Sequence, residues 1–458
     1  MKIYNTLKKK KQEFKPIKEG EVKMYVCGPT VYDLGHLGHG RAATVFDMIR
    51  KYLEYKGNEV NFVTNYTDID DKMINRAKEK GISVSELAAQ IIPEYERDFA
   101  AIGIKPATKQ TRATDYIQPM VELIKKLEEV GAAYELKDGV YFDIKKFKKY
   151  GKLSGQSLKD LQMGARVDVN EEKRNPQDFV LWKFEKPDEP SWDSPWGKGR
   201  PGWHLECSAM VKKELGETID IHGGGQDLIF PHHECEVAQS EAANGCDFAN
   251  FWVHNGFVNI NKEKMSKSLH NFITLRDVLN KYSGQVLRLF YLQKHYRAPL
   301  DFSEEALEQA KNGLKRVHDF SLKLVQAEGD GGNFETTPKS AIEKFVKKFE
   351  KAMDDDFETP SALAALFDFI SDVNKVLEKG LNQKSKSEIL AVLKRVDEVL
   401  GIVFSVEKIP LEVVSLANER LIERKNRNFA RSDELRKEIV VKGYDIEDTK
   451  DGFILKKI

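Results

Sequence analysis

The sequence predicts an α/β protein with a Rossmann-like parallel-sheet domain, interrupted by an insertion and followed by a helical bundle and a small mixed C-terminal domain. Three observations predict this class. Residues 23–26 and 59–64 have the apolar character of strands and flank a helix-like segment, residues 39–55, which together predict a βαβ unit. Residues 115–200 interrupt this alternation. Residues 340–401 return to helical periodicity.

The remaining elements of the first half follow in order. The lysines at 8–11 predict a solvated loop after a short first strand, with a targeting arm as the alternative. The insertion begins with an amphipathic helix that runs to Lys126, followed by a hairpin that turns at Asp138-Gly139 and a Pro/Trp/Gly-rich stretch. Residues 203–230 resume the sheet, and residues 251–258 predict its last strand.

The second half is predicted to be mostly helical. Residues 328–339, rich in Gly, Thr and Asp, predict a flexible linker. Thr359-Pro360 predicts a helix start, whose apolar stripe of Leu363, Leu366, Phe367 and Ile370 predicts a core face. A C-terminal helix is predicted to carry Arg420, Arg424, Lys425, Arg427 and Arg431 before a stop at Gly443. Nearby acidic residues leave a salt-bridged helix and an RNA-binding face equally open.

Composition indicates a large enzyme outside membranes. The 458 residues include 73 Lys plus Arg and 73 Asp plus Glu, so the net charge is zero and any RNA contact must come from local patches. No apolar stretch approaches the roughly 18 residues that cross a bilayer, and the N-terminus has no hydrophobic signal core. Four cysteines do not form a disulfide framework, and we expect a reducing, cytoplasmic location.

The motif His36-Leu37-Gly38-His39 is predicted to open a helix. Its two imidazoles lie on one face of the first turn, where backbone N–H groups and the helix dipole favour anions. Gly38 lets adenine or a phosphate approach the backbone closely. Taken alone, the motif indicates two surface histidines about as well as a phosphate site.

The segment KMSKS, residues 264–268, supplies the second half of the pattern. Lys264 and Lys267 are mobile positive charges that suit the charge developing as pyrophosphate leaves. A solvated lysine-rich loop is the alternative for this segment alone. Together, in this order, the two motifs predict the split ATP site of an enzyme that adenylylates a carboxylate.

Six motifs occur in order: YVCGPTVYD (25–33), HLGHGRA (36–42), NYTDIDDK (65–72), PGWHLECS (201–208), HGGGQDLIFPHHECE (222–236) and KMSKS (264–268). In these motifs the chain resembles the class I aminoacyl-tRNA synthetases, and within them the members specific for cysteine. The resemblance runs nearly end to end. It departs at Gly40, where an alanine is expected, and the glycine should loosen the helix slightly.

Cys27, Cys207, His232 and Glu236 form a second chemical group. His232 and Glu236 are spaced to share one helix face, and two thiolates, an imidazole and a carboxylate suit zinc. The residues alone leave open two buried cysteines and a His/Glu ion pair. The resemblance implies that these four residues bind one Zn²⁺ per chain, which selects a cysteine thiol over a serine hydroxyl. His233, Cys235 and Cys246 are expected to lie outside the ligand set.

The resemblance also implies the remaining contacts. Thr67, Trp203 and His222 are expected to contact L-cysteine, although Trp203 alone could be core. ATP is expected to contact Gly225 and Asp227 through its ribose, and His36, Gly38, His39 and Lys267 elsewhere. A tight turn is the alternative for the glycines at 223–225. Asp68, Asp70 and Asp71 suit either Mg²⁺ or a solvated helix start.

The resemblance implies two half-reactions: Mg-ATP activates L-cysteine to cysteinyl-adenylate, which then acylates the 3′-terminal adenosine of tRNA(Cys). His36, His39, Lys264 and Lys267 are expected to stabilise the first transition state. The implied segments are 1–114 and 201–258 (catalytic domain), 115–200 (connective insertion), 259–327 (KMSKS loop and stem-contact helices), 328–339 (linker), 340–403 (anticodon-stem bundle) and 404–458 (small tRNA-binding domain).

We expect a monomer without membrane contacts. Two alternatives remain at this point: a ligase that joins cysteine to an amino-sugar, and a non-catalytic RNA-binding module. The long segment after KMSKS disfavours the first, and the intact motifs disfavour the second.

Overall fold

This computed structural model describes residues 1–156, 172–260, 263–264, 272–327, 338–378, 380–404, 410–448 and 452–457. The chain divides into two compact units, Met1–Ala306 with Met353–Thr359, and Leu307–Ala352 with Pro360–Ile458. Lys267 and the predicted linker up to residue 337 lie outside the described residues, so the predictions for them are not addressed by the fold.

The first unit begins with an antiparallel hairpin of β1 (Lys2–Asn5) and β2 (Lys10–Glu13). The predicted lysine loop therefore covers only residues 8 and 9, because residues 10 and 11 already belong to β2. Strand β3 (Glu21–Val26), helix α1 (Leu37–Tyr55) and strand β4 (Glu59–Tyr66) follow, and β3 pairs with β4 in parallel. This arrangement confirms the predicted βαβ unit.

Two helices and a strand complete this half of the sheet: α2 (Asp71–Lys80), α3 (Val84–Ala101) and β5 (Lys109–Arg112). Asp70 caps α2 by accepting from the Met73 N–H, and Ser83 with Glu86 forms a capping box at the start of α3. Asp70 thus takes the helix-start role.

The insertion contains helix α4 (Ile117–Glu129) and strands β6 (Ala133–Leu136), β7 (Gly139–Phe142), β8 (Phe179–Phe184) and β9 (Gly199–Pro201). In the described part of the insertion these strands form an antiparallel sheet in chain order. The β6–β7 hairpin pairs Leu136 with Gly139, at the predicted turn.

The chain then returns to the parallel sheet through α5 (Leu205–Leu215), β10 (Ile219–Gly225), α6 (Glu234–Asn244) and β11 (Ala249–Asn255). Among the described residues the strand order is β11-β10-β3-β4-β5, with every pair parallel. All carboxyl ends therefore share one edge, where open parallel sheets bind ligands.

The predicted last strand was too long. It ends at Asn255, and Val258 begins a separate strand, β12 (Val258–Ile260), which pairs with β13 (Glu263–Lys264) and β14 (Leu300–Phe302). Gly256 allows the break, since a Cβ there would lie 2.6 Å from the Ala298 carbonyl oxygen. The intervening helices are α7 (Leu275–Leu279) and α8 (Gly284–Leu292).

Gly40 is a packing position in α1. A Cβ at this residue would lie 2.5 Å from Leu275 Cδ2 and 2.9 Å from Tyr291 Oη, so an alanine would require both side chains to shift. The expectation that this glycine merely loosens the helix was therefore incomplete, because it also admits its two neighbours.

The later helices are α9 (Glu304–Gln326), α10 (Pro338–Met353), α11 (Thr359–Leu377), α12 (Gln383–Leu400), α13 (Leu411–Lys425) and α14 (Phe429–Val441). The helix start at Thr359 and the end of α12 at Gly401, which is left-handed, agree with the prediction. In the predicted stripe Leu363, Leu366 and Ile370 are buried, whereas Phe367 is half-buried and Phe369 is buried.

The C-terminal segment ends in an antiparallel hairpin of β15 (Tyr444–Asp448) and β16 (Phe453–Lys457). The predicted basic helix is two helices, since Arg427 adopts a left-handed φ of 60° between them. Arg420 is buried and pairs with Asp448, while Arg431 pairs with Glu419, Glu434 and Glu438. These contacts favour the salt-bridged alternative at both arginines.

Candidate active site and metal centre

A cavity of about 740 Å³ opens at the carboxyl edge of the parallel sheet in the first unit. Several sequence-predicted residues from α1, α5, the end of β10 and the neighbouring loops line it together: Cys27, His36, Gly38, His39, Thr67, Trp203, Cys207, Gly225, Asp227 and His232. The cavity thus joins the ATP motif and the cysteine/histidine group, which are far apart in the sequence.

His36 and His39 form a reciprocal cap at the start of α1. The Gly38 N–H donates to His36 Nδ1 at 3.0 Å, and the His36 N–H donates to His39 Nδ1 at 3.2 Å. The two rings stack with centroids 3.7 Å apart. A histidine that accepts at Nδ1 carries its proton on Nε2, so both rings are assigned as Nε2–H donors.

The backbone at this helix start is already engaged. The Leu37 N–H donates to the Ile273 carbonyl, and the N–H groups of His39 and Gly40 donate to the His36 carbonyl. The expectation that open amides receive the anion is therefore wrong for these groups, because the caps and the 272–275 segment occupy them. A phosphate bound at this helix start would therefore take its hydrogen bonds from the imidazoles and not from these amides.

The environment of His39 favours its neutral form. Burial lowers its pKa well below the usual range, and the neighbouring His36 and Lys72 act in the same direction. The Tyr95 hydroxyl lies 3.2 Å from His39 Nδ1, which is consistent with Nδ1 as an acceptor.

The chain that follows KMSKS packs directly on the start of α1, where the His36–His39 motif lies. Phe272 contacts the His36 ring edge-to-face at 5.3 Å, and the Leu275 N–H donates to the Gly35 carbonyl at 2.8 Å. Before the motif, Lys264 pairs with Asn259 in the β12–β13 ladder. Lys267 itself is outside the described residues, yet the chain re-enters the described structure beside His36.

Cys27, Cys207, His232 and Glu236 converge on one point. One ligand atom from each lies within 4.8 Å of the others, and three of the four side chains are buried. Cys27 directly follows β3, and Cys207 belongs to α5. His232 lies in the turn before α6, and Glu236 lies in the first turn of that helix. The i, i+4 spacing places His232 Nε2 3.7 Å from Glu236 Oε1.

The electrostatics of this group suit a divalent cation. Burial raises the pKa of Cys27 well above its usual range, with Cys207 adding to it, and burial raises the pKa of Cys207 to about 11. Burial alone would raise the pKa of Glu236, but His222 and His232 outweigh it and lower that pKa. Two buried thiols beside a buried carboxylate become thiolates only when a cation compensates them, so this donor set fits zinc.

Surrounding side chains orient the imidazole of His232. Its Nδ1 lies 3.1 Å from His204 Nδ1, which leaves Nε2 facing Glu236. The indole of Trp203 stacks on His232 with centroids 4.4 Å apart and is 37% exposed. Trp203 therefore lies at the surface beside His232, and its core alternative is wrong.

A second arrangement shares Cys27 and Glu236 but uses His222 and His233. His222 is fully buried, with Nε2 3.0 Å from Glu236 Oε2 and 3.5 Å from Cys27 Sγ. The sequence-based prediction set His222 beside the substrate and His233 outside the ligands. The structure brings both against Glu236, and His233 Nδ1 is 2.8 Å from His254 Nε2.

Glu206 and Asn65, which both hydrogen-bond to Thr67, escaped the sequence-based prediction. The Thr67 hydroxyl donates to Glu206 Oε2 at 2.9 Å and accepts from Asn65 Nδ2 at 3.2 Å. Glu206 is fully buried; burial raises its pKa well above the usual range, and the Thr67 hydrogen bond opposes this shift. Both residues lie inside the six motifs: Glu206 comes one residue before Cys207, and Asn65 comes two residues before Thr67.

The predicted ribose contacts lie together at the end of β10. A Cβ on Gly225 would lie 2.4 Å from Asp227 Oδ1, so the glycine admits that carboxylate.

The two other aspartates that the sequence suggested for Mg²⁺ have protein partners. Asp68 accepts from the Thr114 N–H at 3.0 Å, and Asp71 pairs with Lys183 and Arg200. These partners favour structural roles for Asp68 and Asp71 over magnesium binding.

Comparisons with known proteins agree with this geometry. The family described as tRNA synthetases class I (C) catalytic domain matches residues 13–312, and the DALR domain family matches residues 348–405. The cysteine–tRNA ligase of Geobacter metallireducens is 48% identical over 477 residues, covering 99% of this chain and 98% of that protein. That of Caldicellulosiruptor saccharolyticus is 49% identical over 465 residues and covers both chains fully.

Solved structures support the fold. The chain is similar to Mycobacterium tuberculosis methionyl-tRNA synthetase in complex with methionyl-adenylate, with a TM-score of 0.60, 16% identity, and coverage of 84% of this chain and 90% of that one. Among the helices of the described residues, none has the length and hydrophobicity needed to cross a membrane. The matched families, the full-length identity and the order of the motifs confirm the resemblance, and the chain belongs to the cysteine–tRNA ligase family of class I aminoacyl-tRNA synthetases.

Proposed function

We propose that this chain activates L-cysteine with Mg-ATP and transfers it to the 3′-terminal adenosine of tRNA(Cys). One observation carries the proposal: a single cavity is lined both by His36 and His39 and by Cys27, Cys207 and His232. A nucleotide-binding motif and a thiol-selecting group that face one cavity suit the joining of ATP to a thiol-bearing amino acid.

At the ATP end, the neutral imidazoles of His36 and His39 would donate from Nε2 to phosphate oxygens as charge develops on them. Asp227 and Gly225 would bind the ribose, because a carboxylate accepts from sugar hydroxyls and Gly225 allows close approach. Lys264 and Lys267 would compensate the charge on the departing pyrophosphate.

At the amino-acid end, Cys27, Cys207, His232 and Glu236 would hold one zinc ion. When bound, zinc supplies a soft Lewis acid that favours a thiolate over a neutral hydroxyl and so distinguishes cysteine from serine. Trp203 would cover the bound amino acid, Thr67 would contact its polar groups, and His222 would support the site through Glu236.

The second step would need positioning more than a strong base, because an adenylate is already an activated acyl donor. By analogy within class I, the 2′-hydroxyl is the acceptor. The DALR match supports a role in tRNA binding for the helical bundle, and the C-terminal segment would extend that contact. We propose that the protein acts as a cytoplasmic monomer.

The decisive experiment is ATP- and cysteine-dependent charging of a tRNA(Cys) transcript by the full chain. We expect charging with cysteine and none with serine, and no product when an amino-sugar replaces the tRNA. The Lys267→Ala variant should slow pyrophosphate exchange far more than it weakens cysteine binding. Charging of the amino-sugar, or of neither acceptor, would overturn the proposed function.

A further inference from the structure

Glu206 is a buried carboxyl beside the amino-acid end of the cavity. It is fully buried, and it precedes Cys207 in α5. Its Oε2 accepts a hydrogen bond from the Thr67 hydroxyl at 2.9 Å, while its Oε1 has no hydrogen-bond partner within the described residues. A buried carboxyl is costly, so its position against Thr67 calls for a function.

The polar atoms of Thr67 are almost all committed. Its N–H donates to the Pro29 carbonyl and its carbonyl accepts from the Val31 N–H, each at 3.1 Å. A hydroxyl has one hydrogen and two lone pairs. The hydrogen goes to Glu206, and one lone pair accepts from Asn65 Nδ2 at 3.2 Å.

The side-chain amide of Asn65 cannot be turned round to accept from Thr67, because its oxygen already has two donors. Its Oδ1 accepts from the Gly28 N–H at 2.8 Å and from the Tyr25 hydroxyl at 3.1 Å. The amide nitrogen must therefore face Thr67. Thr67 lines the cavity, and its hydroxyl therefore has one lone pair left to accept a hydrogen bond from a ligand there.

We infer that Glu206 is a positioning residue that keeps the Thr67 hydroxyl a hydrogen-bond acceptor, so that Thr67 binds the α-ammonium of the amino-acid substrate. An ammonium only donates hydrogen bonds, and it therefore matches a hydroxyl whose hydrogen is already used. A thiol acid without an amino group gains nothing from this acceptor. The inference deepens the proposed function and rests on it for the identity of the substrate.

Binding to the zinc-loaded full chain, measured by calorimetry, tests this inference with two ligands. L-Cysteine carries a thiol, a carboxylate and an ammonium, whereas 3-mercaptopropionate lacks only the ammonium. Thr67→Val and Glu206→Met, which preserve volume, should each weaken cysteine binding about tenfold. Both variants should leave 3-mercaptopropionate binding within about twofold, and Thr67→Ser and Glu206→Gln, which keep the needed oxygen, should largely retain cysteine affinity.

The double variant distinguishes positioning from an independent effect. If Glu206 acts through Thr67, the Thr67→Val/Glu206→Met protein should bind cysteine no more weakly than Thr67→Val alone. Additive losses, or equal losses for both ligands, would overturn the inference. Should Glu206→Met not fold, Glu206→Leu, which also removes both carboxyl oxygens, replaces it in the single and the double variant, and the double variant must again match Thr67→Val. Zinc content by elemental analysis should stay unchanged throughout.

The proposed function and this inference can fail separately. A wild-type protein that binds cysteine selectively over 3-mercaptopropionate but does not charge tRNA(Cys) would contradict the function and support the inference. A protein that charges tRNA(Cys), yet whose Thr67→Val variant binds both ligands as tightly as the wild type, would support the function and contradict the inference.

Discussion

The ring of His36 stacks on the ring of His39 with centroids 3.7 Å apart and planes inclined by 21°. Each ring also accepts a backbone N–H at Nδ1, so the pair is held by the helix start that it caps. Because Nδ1 of each ring is used by a cap, only the Nε2–H group of each ring can donate to the phosphates of ATP in the proposed reaction. The orientation of both donors is thus fixed before ATP binds, which is the condition for electrostatic stabilisation of a transition state.

Replacing His39 should impair adenylate formation. We expect His39→Asn to slow cysteine-dependent pyrophosphate exchange about 100-fold, because one preorganised donor to the phosphates is lost. Cysteine binding, measured by calorimetry, should change little. Tyr95→Phe is the matched control, since it removes the hydroxyl next to His39 Nδ1 but keeps the cap from the His36 N–H. A similar loss in both variants would contradict a role for Nε2.

The pH dependence should show that His39 acts as a neutral donor. Burial lowers its pKa well below the usual range, and the neighbouring His36 and Lys72 act in the same direction, so we expect the ring to stay unprotonated as the pH falls from 8 to 6. Asparagine does not titrate. The ratio of wild-type to His39→Asn exchange rates should therefore stay constant across this range. A ratio that rises more than about tenfold towards pH 6 would indicate an imidazolium with an ordinary pKa.

The proposed zinc site should depend on Cys207 and not on Cys246. Replacing Cys207 by Ser removes a soft ligand from the converged group, so zinc per chain should fall from about one to well below half. Cys246 follows α6, contacts Thr218 and belongs to neither candidate ligand group, so Cys246→Ser is the matched control. Elemental analysis of the purified variants measures the difference. Full zinc retention in Cys207→Ser would favour the His222/His233 arrangement.

Sequence reasoning reached the βαβ unit and the convergence of the motifs because both depend on local pattern and on the common edge of a parallel sheet. The zinc ligands were a different case. The residues alone left open a structural pair of cysteines, and only the resemblance implied Cys27, Cys207, His232 and Glu236 as one set, which the fold brings within 4.8 Å. Their occupancy by zinc stays a prediction.

Contacts between distant residues were beyond the reach of periodicity. The pattern of charges could not show that Arg420 is buried against Asp448, because that pairing depends on the β15–β16 hairpin folding back on α13. Likewise nothing in the spacing of Thr67 and Glu206 relates two residues that lie 139 positions apart. Local rules predict elements, whereas such pairs depend on how the elements pack.

Asp356 should be a major determinant of the stability of the first unit. Its carboxylate accepts from the Tyr4 N–H, the Tyr296 hydroxyl and Arg297 Nε, each at 2.8 Å, and it is fully buried. Asparagine tolerates the left-handed φ of 67° at this position, so Asp356→Asn removes the charge without adding backbone strain. We expect a loss of about 2–4 kcal/mol, because Arg297 loses its counter-charge and one acceptor becomes a donor.

The neighbouring Asp355 provides the matched control for this prediction. It pairs with Lys11 at 2.8 Å, but its side chain is 58% exposed, so Asp355→Asn should cost less than about 1 kcal/mol. Urea unfolding, followed by tryptophan fluorescence, measures both variants; every tryptophan of the chain lies within residues 182–252, inside the first unit. Equal shifts of the urea midpoint would show that burial of Asp356 contributes nothing beyond a surface ion pair. A larger shift for Asp356→Asn would establish that the Met353–Thr359 segment stabilises the catalytic unit through this one carboxylate.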